Sequence, residues 1–270
     1  MTIGMDPDIG QIGPVALEWH GVFMALGIII GLVLTLYLAH RDDFPTEHFF
    51  PAVVWGVVGG LIGARITHVI DEWEWYQHNF TEVFAIWNGG LGWYGGLIGG
   101  VLAGIIYCWV KHVSAGAMLD KSAAGLMLGL AVGRIGCTIN GDAAGTRTSS
   151  SLGITYTHPD AFAPLGVPTQ PAPIYEILWL IIVVAVLIWL RRKVRPEWSL
   201  FLIMLASYSF GRFFISWVRD EPAVLGPLHQ SHVISIVLFV VAVALLIYRG
   251  VHFVEGASSE PEDEAGVDAS

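Results

Sequence analysis

Long apolar runs separated by short polar links set the plan of this chain. Seven runs, roughly 17–39, 50–70, 91–110, 118–136, 173–190, 198–218 and 231–248, approach the ~20 residues that a helix needs to cross a hydrocarbon layer of about 30 Å. In lipid the backbone must satisfy its own hydrogen bonds, so runs of this length predict helices. The expected fold class is all-α: a polytopic membrane protein with seven transmembrane helices. Glycines at three- and four-residue intervals in the second run, Gly56, Gly59, Gly60 and Gly63, predict close helix approach. No internal repeat is visible, which removes support from an inverted-repeat transporter.

The polar links give an orientation. Arg41, Lys111, Lys121, Arg191, Arg192, Lys193, Arg195 and Arg249 fall on one side of a seven-span plan, and only Arg147 and Arg219 on the other. Basic links favour the cytoplasm, which predicts an N-terminus outside and a C-terminus cytoplasmic. The first run lacks a basic leader and a cleavage site and reads as a mature span. Composition agrees with a membrane protein: 54% hydrophobic and 13% charged residues among 270 exceed what a soluble core needs. The net charge of −10 argues for no partner, because six acids and no base follow from Glu255 onward. Residues 1–250 thus form the transmembrane unit, and 251–270 a solvated, acidic, disordered cytoplasmic tail.

Two links carry more than spacing. Residues 71–90 hold Trp73, Trp75, Tyr76, Phe80, Phe84 and Trp87 with four acids, the composition of a segment lying in the membrane interface. The link from Asp142 to Pro173 is long and rich in Ser, Thr, Pro and Gly, a length usual for loops that are functional or disordered. Cys108 and Cys137 show no metal-ligand spacing, and Cys108 reads as a small packed hydrophobe.

Charge inside the runs is the chemical signal. Arg65, Arg134 and Arg212 each lie near the outer end of a span that runs outward, so three helices offer guanidinium groups at one depth. A charge at mid-bilayer costs roughly 2.5 to 3.5 kcal/mol on insertion scales, so each Arg needs an anionic partner or substrate. Tyr208, Arg212, Ser216 and Arg219 share a helical face; on this reading Arg212 is the deeper base and Arg219 sits at the rim with Asp220 and Glu221. His20, Tyr94, Tyr175 and Glu176 join them from the outer ends of other spans. Guanidinium forks match phosphate oxygens in pairs, which suits a phospholipid head group. No nucleophile elbow, Gly-rich phosphate loop or zinc-protease motif occurs.

The stretch Gly133-Arg134-Ile135-Gly136-Cys137-Thr138-Ile139-Asn140-Gly141-Asp142-Ala143-Ala144-Gly145 closely resembles the signature of bacterial prolipoprotein diacylglyceryl transferases. Further segments match in order: Ile12 to Leu17, Gly63-Ala64-Arg65-Ile66, Trp87 to Gly90 with Gly95 to Gly99, Tyr175-Glu176, and Tyr208 with Arg212. The resemblance implies transfer of the diacylglyceryl group of phosphatidylglycerol to the lipobox cysteine thiol of a prolipoprotein signal peptide, forming a thioether and releasing glycerol phosphate at the outer leaflet. It implies no metal and no other cofactor. Arg134 and Arg212 would hold the head group and leaving phosphate, Asn140 would position by hydrogen bonding, and Gly145 would serve a backbone turn. Arg65, Asp142, Glu176 and Tyr208 complete the expected substrate-binding set, with His20 and Tyr94 beside Arg134 and Arg212 in catalysis.

Departures from the pattern open a second reading. The family's usual His before Gly-Gly-Leu-Ile-Gly is Tyr94, while its usual Tyr in the first span is His20, as if the two were exchanged. If one site needs both, His20 accepts the substrate thiol's proton, since neutral imidazole does so near pH 7 and tyrosine does not. The acid usual four residues after the last-named Arg is Ser216. A chain whose chemistry had been lost with these changes would remain a phosphatidylglycerol-binding or lipid-transporting membrane protein.

Overall fold

A computed structural model describes residues 1–12, 15–85, 89–90, 92–221 and 223–253, with the backbone alone at 12, 15, 16, 93, 94 and 223. The helices are α1 (Trp19–Arg41), α2 (Phe49–Asp71), the short α3 (Trp73–Tyr76), α4 (Trp93–Val110), α5 (Ala115–Asn140), α6 (Ala172–Leu190), α7 (Ser199–Ser216) and α8 (Gln230–Tyr248). Among the described residues six of them, α1, α2, α5, α6, α7 and α8, are long and apolar enough to cross a membrane. The third expected span differs: α4 has 18 residues, about 27 Å at 1.5 Å per residue. Its described apolar part, Gly95–Val110, falls among the shorter helices. Outward-facing residues are large and apolar, with Trp109 at 77% and Ile247 at 75% exposure, a surface that requires lipid rather than water.

Helix pairing follows the glycines. Gly27 and Gly31 of α1 meet Gly125 and Gly129 of α5, and Gly59 and Gly63 of α2 meet Gly95 and Gly99 of α4. A Cβ on Gly63 would overlap the Gly95 carbonyl oxygen, so these backbones touch with no side chain between them. The core proper lies among α5, α6 and α7, where Ala123, Met127, Leu180, Leu187, Leu200 and Met204 are buried with Leu38 of α1. The α2–α4 pair stands apart from that core across an apolar cavity of about 470 Å³, lined by Met24 and Gly27 on one side and Gly96 and Leu97 on the other.

At the end where α1 finishes, Asp42 ties three elements together. Its carboxylate receives Lys121 Nζ at 2.8 Å, Arg191 Nη1 at 2.7 Å and Arg192 Nε at 2.6 Å. Burial alone would push the Asp42 carboxyl up, but these three cations outweigh it and hold it below the usual carboxylate range. The same end carries Asp120, which accepts the Phe201 N–H at 2.8 Å and so caps the start of α7.

Neither end is purely helical: one pairing lies at the Asp42 end and three at the opposite end. Four two-stranded pairings sit outside the long helices: β1 (Thr2–Ile3) with β4 (Thr155–Tyr156), β2 (Asp8–Ile12) with β3 (Val15–Glu18), β5 (Val194–Arg195) with β8 (His252–Phe253), and β6 (Ala223–Leu225) with β7 (Leu228–His229). The 142–173 link is folded: Ile154, Tyr156 and Ala163 bury a small cluster of their own with Ile3 packed on it. Tyr156 Oη donates to the Thr138 carbonyl at 2.8 Å, fastening the link to α5. Burial, with Asp142 and Cys137 nearby, raises the Tyr156 phenol to about 12. The 71–90 segment forms α3 and a 3-10 turn, Phe80–Phe84, with Trp73, Trp75, Phe80 and Phe84 exposed. The acidic tail lies outside the described residues from 254 onward.

Candidate functional site

Helix α5 carries the site because it runs further than its apolar pattern suggests. Expected to end near 136, it continues to Asn140 and stops at Gly141, whose φ of 79° is the left-handed cap. Arg134, Cys137 and Asn140 therefore project from successive turns of one helix, and Asp142 follows the cap.

Glu176, near the start of α6 and 1% exposed, is the centre of the charge network. Its Oε2 lies 3.1 Å from Arg134 Nε and 3.1 Å from Arg212 Nη1, and its Oε1 accepts Tyr208 Oη at 3.5 Å. Arg212 Nη2 reaches Glu221 Oε1 at 3.2 Å, and Arg219 Nε reaches the same oxygen at 2.7 Å. Ser231 Oγ donates to Glu221 Oε2 at 2.6 Å. Burial would raise the Glu221 carboxyl, but Ser231, Arg219 and Arg212 hold it below its ordinary value.

Two Arg contacts are charge pairs rather than aligned hydrogen bonds. Among the described residues, Arg134 Nε and Arg219 Nε are buried with no hydrogen-bond partner, as is Asn140 Oδ1. Buried polar groups are nearly always satisfied, so these two ion-paired nitrogens and one amide oxygen leave hydrogen-bonding capacity that a polar ligand can take up.

A second cluster joins the first. His20 Nδ1 lies 3.0 Å from Asp142 Oδ2 and 3.5 Å from Cys137 Sγ, and Arg134 Nη1 donates to the same sulfur at 3.5 Å. Asn140 Nδ2 donates to Glu18 Oε2 at 3.1 Å. The start of α1 is thereby tied to the end of α5 at two places. Gly145 lies just beyond: a Cβ there would overlap the Val218 carbonyl oxygen, and the Gly145–Arg219 bridge brings the Arg219 backbone against the link.

The expected set is thus gathered in part. Arg134, Arg212, Glu176 and Tyr208 meet directly, and Asp142, His20 and Asn140 join them through α5. Arg65 does not join. Its donors go to the carbonyls of Val83 at 2.8 Å, Gly89 at 2.7 Å, Gly90 at 3.0 Å and Glu82, and its guanidinium stacks on Tyr76, 5.3 Å from the ring centroid. It lines a separate hollow of about 520 Å³ with His68, Tyr76 and Asn79. The backbone of Tyr94 opens α4, but its side chain lies outside the described residues, as does Trp87-Asn88.

Arg219 needs a correction, because its side chain is 15% exposed against 13% for Arg212. It is not a solvated rim residue: the folded 142–173 link covers it. Burial and the neighbouring Arg212 charge lower its guanidinium from the ordinary value. Ser216 also has another use, since its Oγ donates to the Arg212 carbonyl at 2.7 Å and it is fully buried. Glu221, expected only beside Arg219, also supplies Arg212's second carboxylate from beyond the end of α7.

Comparison with known proteins adds to this geometry. The family model described as prolipoprotein diacylglyceryl transferase matches residues 7–248. A phosphatidylglycerol–prolipoprotein diacylglyceryl transferase of Listeria monocytogenes serotype 4b is 35% identical over 249 residues, covering 91% of this chain and 90% of the relative. One of Dehalococcoides mccartyi is 33% identical over 249 residues, covering 92% and 95%.

Proposed function

The chain belongs to the prolipoprotein diacylglyceryl transferase family, and we propose from this that it transfers the diacylglyceryl group of phosphatidylglycerol to the lipobox cysteine thiol of prolipoproteins. The observation that carries the assignment to these residues is the buried network with unsatisfied Arg nitrogens. Three guanidinium groups, Arg134, Arg212 and Arg219, face two carboxylates, Glu176 and Glu221. The network keeps one net positive charge, the complement of the single negative charge on a phosphatidylglycerol phosphodiester.

In the reaction the substrate sulfur attacks the glyceryl carbon, the C–O bond to phosphate breaks, and a C–S thioether forms. Charge gathers on the departing glycerol phosphate, where Arg134 and Arg212 stabilise it in a site of low dielectric. His20, oriented by Asp142 at 3.0 Å, accepts the thiol proton through Nε2, as a histidine held by a carboxylate does in other nucleophile-activating sites. Asn140 and Gly145 shape the approach, and Tyr208 holds Glu176. His20 takes the part usual for the third-span histidine. Across the apolar cavity Met24 and Gly27 of α1 face Gly96 and Leu97 of α4.

α4 completes a seventh crossing, paired along α2, and residues 1–250 form one transferase unit with the acidic tail at 251–270. Asp42 with Lys121, Arg191 and Arg192 places several basic links at one end, which supports a cytoplasmic C-terminus, an N-terminus outside and a site facing the outer leaflet. The reaction calls for no nucleic acid and no cofactor. Purified protein, phosphatidylglycerol vesicles and a lipobox peptide should give a peptide heavier by one diacylglyceryl unit together with glycerol phosphate. Folded protein that binds the lipid but yields neither product overturns the assignment.

A further inference from the structure

We propose that His20, Cys137 and Asp142 form a binding site for a thiophilic divalent cation, Zn²⁺ before others, and that its occupancy blocks the transfer reaction. The site follows from geometry alone, whereas the block rests on the reading of His20 as proton acceptor.

The three donor atoms come from separate places in the chain, the start of α1, the last turn of α5 and the residue after its cap, so sequence spacing hides them. In space Nδ1, Sγ and Oδ2 all lie within 4.8 Å of one another, with Nδ1 3.0 Å from Oδ2 and 3.5 Å from Sγ. A tetrahedral zinc with bonds of about 2.0 Å to nitrogen and oxygen and about 2.3 Å to sulfur needs roughly 3.3 Å and 3.5 Å for those two separations. Both separations from Nδ1 therefore match an ion to within a few tenths of an ångström, and Sγ and Oδ2 lie within 4.8 Å of each other.

The donor set selects the metal. One thiolate, one imidazole and one carboxylate suit zinc or cobalt, while magnesium and calcium require cages of oxygen. Thiolate and carboxylate together neutralise a divalent ion, and the charge balance of Arg134 with Glu176 is left as it was. Arg134 Nη1 at 3.5 Å from the sulfur is the outer-shell donor that metal-bound thiolates commonly have. A fourth position is open, since the His20 and Asp142 side chains are 35% and 30% exposed.

Binding has a defined proton balance. The Cys137 S–H bond breaks, its proton goes to solvent and a metal–sulfur bond forms. The imidazole coordinates through Nδ1, so its remaining proton sits on Nε2. No ring nitrogen is then left to take a proton from the substrate thiol, and turnover stops until the ion leaves.

The test uses the full chain in detergent micelles with Co²⁺ alone as the probe, because cobalt bound to thiolate gives a charge-transfer absorption. One equivalent should bind, Zn²⁺ should displace it, and the band should persist in Cys108→Ala. It should vanish in Cys137→Ala and in the near-isosteric Cys137→Ser, with affinity lowered by more than the roughly 10- to 100-fold that loss of an outer-shell partner costs. The other donor cluster, Asp6, His158 and Asp160, has no sulfur and cannot produce that absorption. In the transfer assay Zn²⁺ should inhibit, a chelator should restore the rate, and the rate that Cys137→Ala retains should be insensitive to Zn²⁺. Absence of the band in folded wild-type protein, or its survival in both Cys137 variants, overturns the site. A band in active protein without Zn²⁺ inhibition overturns the block, and a band in inactive protein upholds the site independently of the family reaction.

Discussion

Arg134 and Arg212, from different helices, each place a guanidinium nitrogen 3.1 Å from the same atom, Oε2 of Glu176. One buried carboxylate thus sets the distance between two guanidinium groups, the proposed ligands of the phosphate. Glu176→Gln leaves two buried cations short of a counter-ion, and removing one member of a buried pair typically costs about 3–5 kcal/mol. The expected outcome is a clear fall in thermal stability, restored in part by phosphatidylglycerol. Differential scanning of the purified protein with and without lipid measures both effects.

Arg134→Ala and Arg212→Ala should each lower turnover by about 10²- to 10³-fold, the usual cost of one lost stabilising donor. Arg212→Lys should recover little, because an ammonium lacks the planar fork that spans Glu176 and Glu221. Depth read from the sequence ranks Arg219→Ala as milder, but its burial now places its loss close to theirs. Rates and lipid affinities for the four variants decide the ranking, and a normal rate in Arg219→Ala would return it to a supporting position.

His20→Gln should reduce turnover strongly with lipid binding kept, since the amide retains size and one hydrogen bond but accepts no proton. Asp142→Asn should be milder, because it weakens the orientation of the ring and leaves the ring itself. The double variant His20→Tyr with Tyr94→His should exceed either single change. Wild-type rates in His20→Gln would remove the imidazole from the reaction.

Asp42 gives a pH-dependent stability. Its folded-state carboxyl lies below the ordinary value, so its contribution is fully present above the unfolded pKa and is lost as pH falls through the folded one. Asp42→Asn should lower the melting temperature at neutral pH and converge with wild type in acid. Arg192→Ala should matter less than Lys121→Ala, because the Arg192 side chain is 61% exposed and exposed pairs contribute about 0–1 kcal/mol.

Arg65→Ala should loosen residues 72–90 rather than abolish head-group binding. Four carbonyls of that segment lose their donor, so its amides should exchange faster and its chain should be cleaved sooner by added protease. An unchanged exchange pattern with lost lipid affinity would restore Arg65 to the substrate site.

Six long helices were legible because lipid forces hydropathy into the sequence, and the scarcity of buried charge marked Arg65, Arg134 and Arg212 alike; the family resemblance singled out Arg134 and Arg212, which meet at Glu176. Tyr208 and Arg212 share a face by helical spacing, which also held. The contact of Glu221 with Arg212 was not legible: Glu221 lies past the end of α7, where no periodicity links it to Arg212. Arg219 looked solvated because nothing in a Ser- and Pro-rich link announces that it folds over a neighbour. Arg65 has the same local pattern as Arg134, and only the chain path of residues 82–90 directs its donors to carbonyls. The strand pairs are two to five residues long, too short for alternation to register.

The glycine contacts between α1 and α5 act as a ruler for the chemistry. A Cβ on Gly27 would overlap the Gly129 carbonyl oxygen, and Gly129 sits about 12 Å along the helix from Cys137 at 1.5 Å per residue. One added methyl at Gly129 would lever the first turn of α1 outward and lengthen the His20–Asp142 and Glu18–Asn140 contacts together. The two helices are calibrated against each other deep in the apolar layer, so a contact of bare backbone, remote from every charged group of the site, sets the spacing between the proposed proton acceptor and its carboxylate.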